Sequence, residues 1–324
     1  MRTVPAGGFA VTVAQSGIMS KVLVVGATGL LGSAVCAQAR AAGYDVRALI
    51  RAESTRTAEL RGLGCVTVLG DLKNPASLAA ACCDVETVVT TANAMTSRAS
   101  GDSLVSVDRR GSLALVQAAA AAGVRRFVYT SVDPAIRASN AFVRYKREVE
   151  QAVRASTMTW TVLQPTAFME IHAGAPAGWD FARARARIVG AGSAPVGYIA
   201  VADVAGFAVA ALAHPAALNR DVPLAGPEPL SALDAIRVAE DVTGRRFAVQ
   251  RAPVALLKVA RMVVGPFHPP LDALLGLIID QAAGHGVPPA PLYDVFDVRA
   301  TTFAEYVRQA LARPSPALVP SLRP

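Results

Sequence analysis

Lysine is scarce in this chain: only four of the 32 basic residues are lysine, and the rest are arginine. Charge of either sign is thin as well, at 17% of 324 residues, where a typical globular chain carries about 25%. With 53% hydrophobic residues, the chain is not disordered, because disorder needs low hydrophobicity and high charge. Long apolar runs are missing. The longest, such as residues 204–213 and 271–279, fall short of the roughly 20 residues that a bilayer span requires. Cysteine is rare, and Cys36, Cys65, Cys82 and Cys83 form no C-x-x-C and have no His near them at metal spacing. That argues against a C-x-x-C redox or zinc motif and leaves the vicinal Cys82–Cys83 as the one candidate redox pair; no metal site is expected. Cys36 and Cys65 read as small buried hydrophobes. The Cys82–Cys83 pair reads as a helix end in a reducing compartment. A signal-peptide pattern is absent from the first residues, so a cytoplasmic location is expected.

Acid is the scarcer sign of charge: 32 basic against 24 acidic residues give a net charge of +8. One local cluster stands out, Arg183, Arg185 and Arg187, alternating with Ala. Period-2 spacing puts all three on one face of a strand. With no DNA-reading motif beside it, the cluster reads as a solvated face, and no nucleic-acid partner is expected.

From residue 21 onward strand and helix alternate. Lys21–Val25 is a β-branched run, followed by a Gly-rich turn and a helix to residue 42 that Gly43 ends. Further strands are expected at 44–50, 65–69, 85–90, 126–130 and 159–163. Helices are expected at 54–63, from Pro75, at 104–122 and at 141–155. Such alternation predicts an α/β fold, a doubly wound parallel sheet with helices on both faces. After Gln164-Pro165 the rhythm breaks. A strand at 197–201 leads through Asp203, as a cap, to a helix at 204–213. A strand at 221–224, a helix at 231–243, apolar helices over 253–282 and a helix at 301–312 follow, the last capped by Thr301 or Thr302. The expected organisation is an extension (1–19), a cofactor-binding core (20–165), a smaller substrate region with returning sheet elements (166–313) and a tail (314–324).

The strongest motif is Gly26-x-x-Gly29-x-x-Gly32, between strand and helix. The first Gly permits the tight turn, the second lets a pyrophosphate approach the backbone, and the third lets helix and strand pack closely. The helix N-terminus adds free N–H groups and a positive dipole end. Thr28, Leu30 and Leu31 fall within the same turn. An NAD site places an acid about 20 residues on, at the end of the second strand. Here that strand ends in Arg51, which suits a 2′-phosphate through a charged fork. NADP(H) is therefore the expected cofactor, with Glu53 close enough to compete. Asp71, followed by Leu72, either meets the adenine edge or caps a turn.

These residues resemble a family. Residues 21–32 (KVLVVGATGLLG), Gly70-Asp71, 123–131 (GVRRFVYTS), 145–150 (YKREVE), 161–170 (TVLQPTAFME), Asp203-Val204-Ala205 and 301–308 (TTFAEYVR) are similar to the atypical short-chain dehydrogenase/reductase superfamily, in its NmrA-like branch. The resemblance spans residues 20–310. It implies a Rossmann core with a small C-terminal substrate region over the cofactor. The branch includes quinone and aromatic-ring reductases, benzylic-ether reductases and non-catalytic NADP-sensing regulators, so fold is better defined than function.

The chain departs from the standard short-chain pattern of Ser, then Tyr-x-x-x-Lys. Ser131 and Lys146 fill the Ser and Lys positions, but Phe142 stands where Tyr is expected. Position i−4 shares a helix face with Lys146 and i−1 does not, so Tyr145 points elsewhere. This argues against routine alcohol–ketone chemistry. Lys146 is expected to hold the nicotinamide ribose and move a proton, provided burial depresses its pKa; otherwise it is a solvated Lys paired with Glu150. Ser131 is either a substrate hydrogen-bond donor or a helix cap. Thr90, Thr91 and Ala92 end the fourth strand beside the cofactor. Gln164, Pro165, Thr166 and Phe168 end the sixth, at the nicotinamide face and the start of the substrate pocket. His172 is the His nearest that pocket. The apolar stretches 254–264 and 271–279 can line the pocket, dock a second subunit or touch a membrane surface, and the resemblance favours the first. The expected function is NADPH-dependent reduction of an apolar, conjugated small molecule, an enone, quinone or imine. A homodimer is the expected partnership, with no membrane. A redox-neutral isomerase or a regulator that binds a protein are the alternatives.

Overall fold

The computed structural model describes residues 20–97, 99–136, 140–265, 267–284 and 292–312. The extension 1–19, His285 and the tail 314–324 lie outside the described residues. Elements are numbered along the chain. Seven strands form one parallel sheet: β1 (Lys21–Val25), β2 (Asp45–Ile50), β3 (Val66–Leu69), β4 (Thr87–Thr90), β5 (Arg126–Thr130), β6 (Thr159–Pro165) and β9 (Arg220–Leu224). Their order is β3-β2-β1-β4-β5-β6-β9. Two ribbons lie outside it. In one, β7 (Arg185–Val189) runs parallel to β11 (Ala248–Ala252); in the other, β8 (Pro195–Val196) is antiparallel to β10 (Leu230–Ser231). The helices are α1 (Leu30–Ala41), α2 (Thr55–Gly62), α3 (Pro75–Cys82), α4 (Ser112–Ala121), α5 (Ala141–Arg154), α6 (Met169–His172), α7 (Val201–Ala210), α8 (Ala232–Thr243), α9 (Val254–Val264), α10 (Pro269–Ala283), α11 (Leu292–Phe296) and α12 (Phe303–Ala312).

The sheet is buried on both faces because its strands are apolar at successive positions. Val22 and Val24 of β1 join a cluster with Val35 of α1 and Phe207 of α7. Leu23 and Val25 point the other way, to Leu78 of α3, Leu115 of α4 and Val149 of α5. A third, aromatic cluster holds the C-terminal region, with Trp179, Phe181, Phe303 and Tyr306 packed edge to face. The strand order reverses between β1 and β4. In open α/β sheets that reversal opens a crevice beyond the strands' C-terminal ends, and ligands bind there.

Several elements differ from the sequence expectation. The helix expected over 104–122 begins as a π-helix, Leu104–Gly111, before α4. Asp108, on that π-helical stretch, is buried in the interior. No strand runs over 197–201. The Glu170 carboxylate accepts from the Val201 N–H at 3.1 Å and starts α7 there. Asp203 is not the cap of α7. It is buried in the first turn, where it accepts from the Thr301 N–H and hydroxyl and from the Tyr293 hydroxyl. Thr302 is therefore the cap of α12, accepting from the Glu305 N–H at 3.2 Å. Only Arg185 and Arg187 lie on β7; Arg183 sits in the preceding turn, paired with Asp180. Cys36, Cys65 and Cys82 are buried, and Cys83 is exposed at the end of α3.

Candidate active site

A cavity of about 720 Å³ opens at the reversal point, running from the Gly-rich turn to α10. At one end lies the turn between β1 and α1. Gly26 has φ +87°, and a Cβ there would stand 2.8 Å from Ala92 N and Thr91 Oγ1. At Gly32 a Cβ would be 2.1 Å from Gly26 O, so α1 packs directly onto the turn. Gly29 is different: beyond its chain neighbours, a Cβ would meet only Gly26 O, at 3.1 Å, and Gly29 lines the cavity. The first intrahelical bond runs from Ser33 N–H to Gly29 O. The N–H groups of Leu30, Leu31 and Gly32 thus have no intrahelical acceptor. Free helix N–H groups of this kind suit an anion, and at Gly29 the space a Cβ would take is open to the cavity. Gly26, Thr28, Gly29, Leu30 and Leu31 line the cavity, whereas Gly32 is the packing glycine beneath it.

Arg51, Asp71, Leu72, Thr91 and Ala92 stand around the same end. Thr90 is buried in β4 and does not line it. Arg51 is ion-paired with Asp102, a residue not singled out from the sequence. Asp102 also takes Lys73 Nζ and Ser97 Oγ, each at 2.5 Å. Although burial pushes it up, Lys73, Ser97 and Arg51 together hold the Asp102 carboxyl below its ordinary range. Glu53 does not compete for Arg51; it is gripped at both oxygens by Arg61, at 2.6 and 2.8 Å. The Asp71 carboxylate accepts from Lys73 N–H at 2.8 Å, capping the turn, while the residue still lines the cavity. Arg56, also missed, donates to Thr28 O at 2.7 Å and braces the Gly-rich turn.

The other end is built by β5, α5, the segment after β6, and α10. Lys146 is buried and lines the cavity. Its Nζ donates to Thr130 O at 3.0 Å and lies 4.9 Å from the Tyr129 ring centroid and 5.5 Å from that of Phe142. Burial pushes the Lys146 ammonium below its ordinary pKa, against the opposing charges of Asp108 and Glu150. The pairing with Glu150 considered from the sequence is not formed. Glu150 instead takes Ser131 Oγ at 2.5 Å, Arg147 at 2.6 Å, Arg154 at 3.0 Å and Gln164 at 3.3 Å. Ser131 lines the cavity as expected, but its proton is committed to Glu150, so it is neither a helix cap nor a free donor. Gln164 is turned to the same carboxylate and away from the cavity, which Pro165 does line. Tyr145 lies outside the cavity, with the Arg109 and Arg144 guanidinium groups over its ring at 5.6 and 5.3 Å from the centroid.

Phe142, Thr166, Phe168 and His172 all line the cavity. The Thr166 hydroxyl donates to Gly197 O. His172 Nδ1 faces Phe168 O at 3.1 Å, and burial lowers its pKa. Burial disfavours the charged ring, and a carbonyl facing Nδ1 can only accept from it, so His172 is not well placed as an acid. From α10, Leu274 and Leu277 complete the apolar wall, whereas α9 contributes no lining residue. The expectation that 254–264 lines the pocket does not hold, because α10 lies between α9 and the cavity.

The sequence profile of the NmrA-like family matches residues 19–268. The chain belongs to the NmrA-like family. Among NmrA-like relatives, a (4-alkanoyl-5-oxo-2,5-dihydrofuran-3-yl)methyl phosphate reductase from Streptomyces griseus is 33% identical over 267 residues, 81% of this chain and 88% of that protein. The photosystem II assembly factor Ycf39 of Synechocystis is 28% identical over 303 residues, 90% of this chain and 91% of that protein. Among solved structures, an NADPH-dependent quinone oxidoreductase from Escherichia coli, in complex with NADPH, matches with a TM-score of 0.70 at 22% identity. The match covers 90% of this chain and 99% of that one. Among the described residues, no helix is long and apolar enough to cross a membrane.

Proposed function

We propose that this NmrA-like protein is an NADPH-dependent reductase of an apolar, conjugated acceptor. The observation that carries the reading is Lys146, buried in the wall of a cavity that begins at an open glycine cradle, with Phe142 where a tyrosine acid would stand. Gly26, Thr28, Gly29, Leu30 and Leu31 hold the pyrophosphate against α1. Arg51 takes the 2′-phosphate, with Asp71, Leu72, Thr91 and Ala92 along the adenosine. Lys146 and Pro165 border the nicotinamide ribose. When bound, the cofactor supplies a hydride.

The chain's own residues do the rest. Phe142, Phe168, Leu274 and Leu277 exclude water and favour a flat apolar acceptor. Lys146 carries the proton, and its depressed pKa brings proton release closer to neutral pH. A conjugated acceptor spreads the charge that develops on it, so it needs less acid strength than a saturated carbonyl. The Streptomyces relative is named for reduction of an oxo-dihydrofuran, a ring of that electronic kind. The test is NADPH consumption with a panel of quinones, enones and azo compounds beside saturated ketones. Turnover confined to the conjugated set supports the proposal; turnover of simple ketones alone contradicts it.

A second reading is supported by the relatives named assembly factors. There the chain binds the cofactor and acts by gripping a protein partner. Tight NADPH binding with no acceptor reduced favours that reading.

A further inference from the structure

No residue of α9 is buried. Leu256, Val259, Met262 and Val263 are between 54% and 72% exposed, and Phe267, just beyond the helix, is 87% exposed. At about 100° per residue these four helix positions share an arc of roughly 120°. Leu257, Ala260, Arg261 and Val264, on the remaining arc, are half-buried, and α9 packs against α10. The outer face of the hairpin is thus a continuous apolar stripe.

The charge around that stripe is mainly basic, and the acid beside it, Asp272, is taken up by Arg261. From residue 244 to 271 there is no Asp or Glu, but there are Arg245, Arg246, Arg251, Lys258 and Arg261. Arg246 is matched by Glu240 and Arg261 by Asp272. Arg251 and Lys258 have no carboxylate partner among the described residues. Neither does Arg187, on the ribbon that runs into α9. A surface helix with an apolar face and basic flanks lies in the boundary between headgroups and acyl chains.

We propose that the outer face of α9 seats this protein on an anionic lipid surface. The helix lies on that surface and does not span it. Charge decides between occupants. A second copy packed over this face would bring a second set of unmatched cations, Lys258 and Arg251, into the same low-dielectric contact with no acid to meet them. Anionic headgroups meet the same residues with opposite sign. The hairpin also joins this surface to the cavity, since Leu274 and Leu277 of α10 line the cavity from its other side. On the reductase reading, an apolar acceptor dissolved in the bilayer would reach the cavity at its roof. Docking itself does not depend on that reading.

The experiment is flotation of the full chain with vesicles of phosphatidylcholine alone and of phosphatidylcholine mixed with phosphatidylglycerol, without acceptor. The expected result is binding to the anionic vesicles at least tenfold tighter than to the neutral ones, weakened severalfold by high salt. V259D/M262D should reduce it at least tenfold while leaving the melting temperature and NADPH titration unchanged. Lys258→Glu should weaken it severalfold. Absence of vesicle binding by the unmutated chain, or unchanged binding by V259D/M262D, overturns the proposal. So does light scattering that shows a dimer split by V259D/M262D with no flotation, because a second copy then covers the face. As no turnover is measured, failure here leaves the reductase reading standing, and the reverse holds too.

Discussion

Two glycines three residues apart should fail in opposite ways. At Gly32 an added Cβ would stand 2.1 Å from Gly26 O, and it must move about 0.9 Å to reach the 3.0 Å below which real contacts are essentially unknown. The opposing atom is backbone, and it already accepts the Gly29 N–H at 2.9 Å, so it cannot yield without breaking the turn. Overpacking of this kind costs about 1–3 kcal/mol. Gly32→Ala should therefore lower Tm by several degrees, at about 2–4 °C per kcal/mol in a large domain. At Gly29, φ is −78° and an added Cβ meets only Gly26 O at 3.1 Å. Gly29→Ala should cost the fold at most about 1 kcal/mol, the scale of an N-cap change. The methyl group occupies cradle space instead. Losing one charged hydrogen bond to the pyrophosphate, worth about 1.5–3 kcal/mol, weakens NADPH binding roughly 10- to 150-fold. Thermal unfolding and NADPH fluorescence titration of both variants make the assay. Wild-type affinity in Gly29→Ala would mean that the glycines only build a turn. Wild-type Tm in Gly32→Ala would refute the packing argument.

Arg51→Ala should weaken NADPH by about 1.5–3 kcal/mol and leave NADH nearly unchanged. Asp102→Asn should strengthen NADPH by releasing Arg51; isothermal titration of both cofactors checks the pair, and equal affinities in the unmutated protein contradict it. Glu150→Gln should cost about 1–3 kcal/mol at neutral pH, because Ser131, Arg147 and Arg154 lose a buried charged partner. Burial opposes ionisation of Glu150, but Ser131 and Arg147 outweigh it and its pKa lies below the ordinary 4.5. Its stabilisation is therefore complete above that value and lost as pH falls through the lower folded value, so variant and wild type should converge in acid when unfolding is followed against pH. Phe142→Tyr places a phenol beside Lys146 and should add measurable reduction of simple ketones; an unchanged acceptor profile would show that the face shared with Lys146 is not the reacting one.

The glycine turn was legible because its geometry depends on glycine spacing and on the strand and helix around it, all local in sequence. The same holds for Lys146 and Phe142, which share a helix face by spacing alone. What stayed hidden depends on contacts between distant segments. Asp102 meets Arg51 across 51 positions, from a loop with no pattern of its own. Asp108 is buried on a stretch that opens as a π-helix, a departure that a 3.6-residue period does not show. Ser131 read from the sequence as a substrate donor or a helix cap, and only the packing of α5 presents Glu150 to it. The start of α7 moved from its expected place because Glu170, 31 residues away, caps Val201. The apolar runs of α9 and α10 looked alike, and only the order in which they pack separates cavity wall from outer surface.

The most direct measurement is single-turnover oxidation of bound NADPH by a quinone, with wild type beside Lys146→Met. The expected result is one NADPH oxidised per acceptor by the wild type, with the variant slower by the roughly 10²–10⁴-fold that a positioned acid contributes and its NADPH affinity reduced far less. Equal rates in the two proteins, or no oxidation by any conjugated acceptor despite saturating NADPH, would contradict it.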